Sequence, residues 1–84
     1  MSANIYVGNL PFEMTNSSLQ GLFTEFGEVG DARVILDRDT GRSRGFGFVE
    51  MPSSDEANKA ISSLDGSEIG GRQLTVNLAK PKSR

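Results

Sequence analysis

The chain has 84 residues with no cysteine and no histidine, which excludes disulfide bonds, thiolate metal sites and a histidine general base. The length suits one domain, and without an apolar run of membrane-spanning length or a signal-peptide pattern we expect a soluble, cytoplasmic protein. The net charge is −2, but the basic residues are segregated into residues 33–44, with four arginines, and residues 72–84, with four basic residues and no acid.

The first half of the chain predicts a strand, a helix and a second strand. Residues 4–10 (NIYVGNL) alternate and are rich in β-forming side chains, which predicts strand 1, ended by Pro11. A helix is predicted from an N-cap at Thr15 to about Phe26, because apolar residues recur at i, i+3, i+4 and i+7. That apolar stripe consists of Leu19, Leu22, Phe23 and Phe26. Residues 29–36 predict strand 2.

The second half repeats this pattern after a polar loop over residues 37–43. Residues 44–51 (RGFGFVEM) predict strand 3, and Ser53 with Glu56 forms a capping box that begins a second helix. The stripe of that helix consists of Ala57, Ala60, Ile61 and Leu64. A two-residue Gly70–Gly71 turn precedes strand 4, residues 74–78.

The resulting order, β-α-β-β-α-β, predicts a sheet with both helices on one face. Crossovers between parallel strands are right-handed, so the two β-α-β units place their helices on the same side. Alternation turns these residues toward the helices: Ile5, Val7, Val34, Gly45, Val49, Leu74 and Val76. We expect Gly45 and Gly47 to face the helices and permit close packing there. The opposite face has no element left to cover it.

Aromatic side chains are predicted on this uncovered face. Alternation places there Tyr6, Phe46 and Phe48. An uncovered aromatic cluster indicates a partner, and unstacked bases stack on such rings. Arg44 at the strand edge suits a phosphate, while Arg33 and Asn77 on flanking strands suit base edges. The alternative, with the faces inverted, would bury Arg44 and Glu50.

Two segments resemble the signature motifs of the RNA-recognition motif family. Residues 44–51 resemble its octapeptide and residues 5–10 (IYVGNL) its hexapeptide. The resemblance predicts a domain at residues 1–80 and a short basic tail at residues 81–84. The chain also resembles short single-domain, glycine-rich-type RNA-binding proteins of bacteria and organelles. Met51 departs from the usual aromatic residue, and because this position faces the core, we expect it to affect packing.

The resemblance implies an α+β, ferredoxin-like sandwich with a four-stranded antiparallel sheet in the order 4-1-3-2 and two helices on one face. It also implies stacking by Tyr6 and Phe48, sugar contact by Phe46 and phosphate contact by Arg44. The expected function is single-stranded RNA binding in post-transcriptional RNA handling, by a monomer without cofactor or metal. The candidate RNA-binding residues are Asn4, Tyr6, Arg33, Ile35, Arg42, Arg44, Phe46, Phe48, Glu50, Asn77, Lys80 and Lys82.

Other interpretations carry less weight. Asp37, Asp39 and Glu50 could suggest a divalent-ion site, but interleaved arginines favour solvated loop charges. The same topology occurs in small hydrolases, yet no catalytic set is found and we expect no enzyme activity. Single-stranded DNA is a second candidate ligand. The alternative function is a protein-interaction module of the same fold that binds peptide through its sheet or helices.

Overall fold

The computed structural model describes residues 3–79, which form a layer of two helices on a four-stranded sheet, with a small hairpin beside it. The elements are β1 (Ala3–Gly8), α1 (Asn16–Thr24), β2 (Asp31–Leu36), β3 (Ser43–Met51), α2 (Ser54–Leu64), β4 (Glu68–Ile69), β5 (Arg72–Gln73) and β6 (Thr75–Leu78). In this part of the chain, neither helix is long and apolar enough to cross a bilayer. Lys80 and the tail at residues 81–84, including Lys82, lie outside the described residues.

The four-stranded sheet has the order β2-β3-β1-β6, and each neighbouring pair is antiparallel. Since β6 is the fourth predicted strand, the expected order 4-1-3-2 is confirmed. The short β4 and β5 pair with each other around Gly70 and Gly71, whose φ angles of +58° and +80° suit a two-residue hairpin turn. Thus β1 and β3 are the central strands, with a flanking strand on each side.

Both helices begin at the predicted caps. The Thr15 hydroxyl oxygen accepts a hydrogen bond from the Ser18 N–H at 3.1 Å, and the Ser53 hydroxyl oxygen accepts one from the Glu56 N–H at 3.3 Å. These bonds satisfy N–H groups that have no partner within the first turn. Helix α1 ends at Thr24, earlier than predicted, and Phe26 follows in a turn.

The core lies between the helices and one face of the sheet. Its buried apolar residues are Ile5, Val7, Leu10, Leu19, Phe23, Val34, Val49, Met51, Ala57, Ala60, Leu64, Leu74 and Val76. The inward alternation is therefore confirmed for the apolar residues of the predicted strands, and Met51 is fully buried as predicted. The stripes of both helices are confirmed as well, with Leu22, Phe26 and Ile61 packed partly buried against the core. Two of the largest buried side chains, Phe23 and Ile5, come from a helix and a central strand and show how the two layers share one core.

The helix-packing role expected for Gly45 and Gly47 is wrong. A Cβ at Gly47 would collide with the backbone carbonyl oxygen of Arg33 on the neighbouring strand β2, not with a helix. Gly45 has φ +88°, and a Cβ there would meet no heavy atom of residues 3–79 within 4 Å. The β2–β3 register shifts between Val34 and Leu36, so Gly45 sits in a bulge whose left-handed backbone favours glycine.

Candidate nucleic-acid interface

Three aromatic rings form a cluster on the sheet face opposite the helices. The ring centroids of Tyr6 and Phe48 are 5.9 Å apart, and Phe46 lies 6.0 Å from each of the other two. These distances are typical of favourable aromatic pairs. Phe48 is 40% exposed, and Tyr6 and Phe46 are half-buried against their neighbours. We call these three residues the aromatic face; they form a mutually supported surface that remains open to solvent.

The register of the central strands assembles the aromatic face. Tyr6 is paired with Phe48, and Gly8 with Phe46, across β1 and β3. The Tyr6 ring lies over Gly8: a Cβ placed at Gly8 would be 2.6 Å from the Tyr6 hydroxyl oxygen. Gly8 therefore leaves the space that the Tyr6 ring occupies, a role that alternation alone did not indicate.

Polar and charged side chains flank the aromatic face on the neighbouring strands. Asn77 on β6 pairs with Tyr6, and Arg33 on β2 pairs with Phe48. Arg33 is not a lone cation: its Nε lies 3.0 Å from Oδ2 of Asp31, with both side chains at least half exposed. Ile35 is half-buried further along β2. The predicted base-contacting residues are thus beside the rings, but Arg33 already has an acidic partner.

The two ends of β3 differ in charge. Arg42 and Arg44 are exposed at its beginning, near Phe46, whereas Glu50 is exposed at its end, where it pairs with Asn4 and Asp31. The bulge at Gly45 separates Arg44 from Phe46, so simple alternation does not decide the face of Arg44. Positive charge therefore lies at one end of the candidate interface and negative charge at the other.

The loop between β2 and β3 is organised by Asp37. Its carboxylate accepts hydrogen bonds from the backbone N–H of Asp39 at 2.8 Å and from that of Thr40 at 3.3 Å. Such local bonds shape a turn and orient the loop that carries Arg42. A structural role therefore accounts for Asp37, which was also considered as an ion ligand.

Two exposed apolar side chains near this end of the sheet were not predicted. Phe12 is 66% and Leu36 is 56% exposed, and the Arg72 guanidinium lies 5.0 Å from the centre of the Phe12 ring. One signal was available in the sequence, since Phe12 stands between strand 1 and the first helix and belongs to neither apolar pattern. Nothing in the sequence indicated the contact with Arg72.

Fold and site together define a class of protein: an open-faced α+β sandwich that presents clustered aromatic rings on its two central strands. The model of the RNA recognition motif family matches residues 5–75. The chain therefore belongs to the RNA recognition motif family.

Relatives agree with this assignment. The chain is 54% identical over 80 residues to the RNA-binding protein CP31B, chloroplastic, of Arabidopsis thaliana, covering 95% of this chain and 28% of that protein. It is 53% identical over 79 residues to the putative RNA-binding protein RbpB of Nostoc sp. (strain PCC 7120 / SAG 25.82 / UTEX 2576), covering 94% and 77%. The chain spans 28%, 36% and 61% of the length of three curated relatives from plants.

Solved structures give the same fold. The crystal structure of RNA Binding Protein PG1 superposes with a TM-score of 0.91 at 49% identity, covering 98% of this chain and 99% of that one. A Sxl-lethal protein/RNA complex superposes with a TM-score of 0.87 at 37% identity, covering 92% and 47%. One of these neighbours thus has the fold in complex with RNA.

Proposed function

We propose that the chain binds single-stranded RNA by stacking bases on the aromatic face and acts in post-transcriptional RNA handling. The observation that carries the proposal is the partly exposed cluster of Tyr6, Phe46 and Phe48 on the sheet face opposite α1 and α2. Stacking on an aromatic side chain contributes about 1–3 kcal/mol per base, and every base offers a π-face. Family membership and the RNA complex of a structural neighbour support this choice of ligand.

Each residue of the site has a proposed role. Tyr6 and Phe48 stack two bases, Phe46 contacts a ribose, and Arg44 contacts a phosphate. The further proposed contacts come from Asn4, Arg33, Ile35, Arg42, Glu50, Asn77, Lys80 and Lys82, of which the two lysines lie outside the described residues. The proposed RNA-binding domain is residues 1–80.

Stacking contributes more than charge to the proposed affinity. The chain is acidic overall, and Arg33 is already paired with Asp31. Each neutralised phosphate steepens the salt dependence of nucleic-acid binding, so few phosphate contacts give a shallow dependence. We therefore expect modest affinity that survives moderate salt better than binding by a strongly basic domain.

The proposal extends to assembly, location and chemistry. We propose a monomer that binds without catalysis or cofactor and also accepts single-stranded DNA. A cytoplasmic location is proposed from the sequence alone, whereas several relatives are named as chloroplastic or mitochondrial. The peptide-binding alternative gains no supporting observation from the aromatic face.

The direct test is titration of a fluorescent eight-nucleotide single-stranded RNA with the intact chain and with the Phe46→Ala/Phe48→Ala variant. The variant loses one stacked base at Phe48, which costs about 1–3 kcal/mol, and the ribose contact of Phe46 in addition, so we expect affinity to fall about 5-fold or more. A Phe46→Leu/Phe48→Leu variant keeps apolar area and removes the π-faces. It should lose binding as well and remain folded by circular dichroism.

A matched control is Leu78→Ala, which removes an exposed apolar side chain of β6. Leu78 lies two residues after buried Val76 and therefore on the helix side of the strand. Its RNA affinity should equal that of the unmodified chain. No binding by the unmodified chain at low salt, or equal binding by the double variants, would refute the proposal.

A further inference from the structure

A row of three polar residues crosses the open sheet face next to the rings of Tyr6 and Phe48. Glu50 pairs with Asn4 on β1 and with Asp31 on β2, and all three residues are exposed. We call these three residues the polar row. Residues two apart on a strand share a face and lie roughly 7 Å apart. The polar row is therefore within side-chain reach of the edge of a base that is stacked on Phe48.

The two carboxylates of the polar row differ in their surroundings. Oδ2 of Asp31 lies 3.0 Å from Nε of Arg33, and its Oδ1 accepts a 3.0 Å hydrogen bond from the Ala32 N–H. Within residues 3–79, the Glu50 carboxylate makes no hydrogen bond or ion pair. Its Oε1 lies beside Gly30, where an added Cβ would be 4.0 Å away and where no side chain confines it. Glu50 is thus the carboxylate of this row that is available to a ligand.

The charges at the two ends of β3 give a bound nucleotide a direction. Arg42 and Arg44 near the beginning of the strand attract phosphate, whereas Glu50 near its end repels it. Phe46, the proposed ribose contact, lies on the side of the arginines. The Watson–Crick edge of a base is on the side away from its sugar. A nucleotide with its ribose at Phe46 and its base on Phe48 therefore directs that edge toward the polar row.

The Watson–Crick edge of guanine is complementary to the polar row. It presents two adjacent donors, N1–H and the N2 amino group, and one acceptor, O6. The two oxygens of the Glu50 carboxylate can accept both donors, and the amide of Asn4 can donate to O6. Uracil presents one donor between two acceptors, and adenine and cytosine each present an amino group beside a ring-nitrogen acceptor. Guanine is thus the base that offers two adjacent donors to Glu50.

We propose that Glu50 selects guanine for the base position on Phe48, with Asn4 as a second contact at O6. The inference rests on the proposed RNA binding and adds a base preference to it. The aromatic rings alone do not supply this preference, because stacking accepts every base. The negative charge of Glu50 lowers the affinity for RNA in general, and the contact with guanine offsets that loss.

The test titrates the intact chain with eight-nucleotide RNAs of uridine that carry guanosine, adenosine, inosine or uridine at one central position. We expect the guanosine RNA to bind about 5-fold or more tightly than the adenosine RNA, the lower end of the range for one bidentate base contact. Adenine is also a stacking purine, so this ratio reports the base edge. Inosine keeps N1–H and O6 but lacks the N2 amino group, and its RNA should bind with intermediate affinity.

The decisive variant is Glu50→Gln, which keeps the size of the side chain and replaces one acceptor oxygen with a donor. We expect its preference for guanosine over adenosine to disappear, while its affinity for the uridine RNA stays equal or rises. Asp31→Asn and Glu68→Gln remove the same charge, the first from a carboxylate already paired with Arg33 and the second from the small hairpin. Both control variants should keep the preference for guanosine.

The possible failures are distinguishable. Equal binding of the guanosine and adenosine RNAs by the unmodified chain would overturn the guanine proposal and leave stacking on the aromatic face intact. A preference that persists in Glu50→Gln would assign the choice of base to another residue and overturn it too. An equal loss of preference in Asp31→Asn would attribute it to the charge of the whole row and overturn the role of Glu50. If the unmodified chain bound none of these RNAs at low salt, both proposals would be wrong.

Discussion

The two faces of the four-stranded sheet are built from alternate residues of the same strands, yet one face is buried against the helices and the other is partly exposed to solvent. Toward the helices, Ile5, Val7 and Val49 are almost completely buried, while toward solvent Tyr6 and Phe48 remain partly exposed. Aliphatic side chains that interdigitate with helices contribute their full burial to stability. The rings on the other face contact mainly one another and keep surface available for a ligand.

This contrast teaches that stability and binding are separable in this domain. Truncation on the helix side leaves a cavity between two layers, because the surrounding atoms collapse only partly. Truncation on the open side leaves a shallow depression that water fills. Each face can therefore be altered with a different primary consequence.

The largest expected difference in stability is between truncating a phenylalanine on the helix side of the sheet and truncating one on the open side. Phe23→Ala empties a fully buried site on α1, and we expect the free energy of unfolding to fall by about 3–5 kcal/mol. Phe48→Ala removes a ring that is 40% exposed and makes two ring contacts, and we expect a loss of about 1–2 kcal/mol. Urea denaturation of both variants measures the difference.

RNA titration completes this comparison. Phe48→Ala should weaken binding about 5-fold or more, whereas the folded fraction of Phe23→Ala should bind as before. Equal destabilisation by the two changes would show that Phe48 belongs to the core.

A second comparison adds one methyl group on each face. At Gly47 the new Cβ would collide with the Arg33 backbone, so Gly47→Ala should cost about 1–3 kcal/mol of stability by forcing β2 and β3 apart. At Gly8 it would meet the tip of the Tyr6 side chain, which can rotate away. Gly8→Ala should therefore melt close to the unmodified chain but bind RNA several-fold more weakly, because Tyr6 is displaced.

Thermal melting and RNA titration of the two glycine variants give the check. A Gly8→Ala variant with unchanged RNA affinity would mean that the position of the Tyr6 ring is unimportant for binding. A Gly47→Ala variant with unchanged melting would mean that the strands adjust at little cost.

The smallest expected effect concerns the charge balance of the open face. Asp31→Asn removes the partner of Arg33 and one negative charge near the aromatic face, so we expect RNA affinity at low salt to rise about 2- to 5-fold. Glu68→Gln makes the same change in net charge on the small hairpin and serves as the control. An equal rise in both variants would attribute the effect to net charge alone, and added salt should abolish it.

Much of the fold could be predicted because its signals are local. The caps at Thr15 and Ser53, the apolar stripes of both helices and the alternation of Ile5 and Val7 each depend on residues a few positions apart. Handedness of the crossovers then decides that both helices share a face. The place of Tyr6, Phe46 and Phe48 on the opposite face followed from these local patterns.

Other parts of the site could not be predicted because they depend on residues distant in sequence. Arg72 and Leu10, which together position the Phe12 ring, are 62 positions apart. The extra residues in the β2–β3 pairing, and with them the left-handed Gly45, depend on how two strands align in space. Periodicity within one strand contains no information on such a shift.

The sequence by itself determined the order of elements, the layer of helices and the open face with its three aromatic rings, since side-chain periodicity and chain handedness are sufficient for these. Only the tertiary structure decided that Arg33 is paired with Asp31, that Gly8 makes room for Tyr6 and that Phe12 contacts Arg72. The physical reason is that these features arise from register and from contacts between strands and loops, which exist only once the sheet has formed.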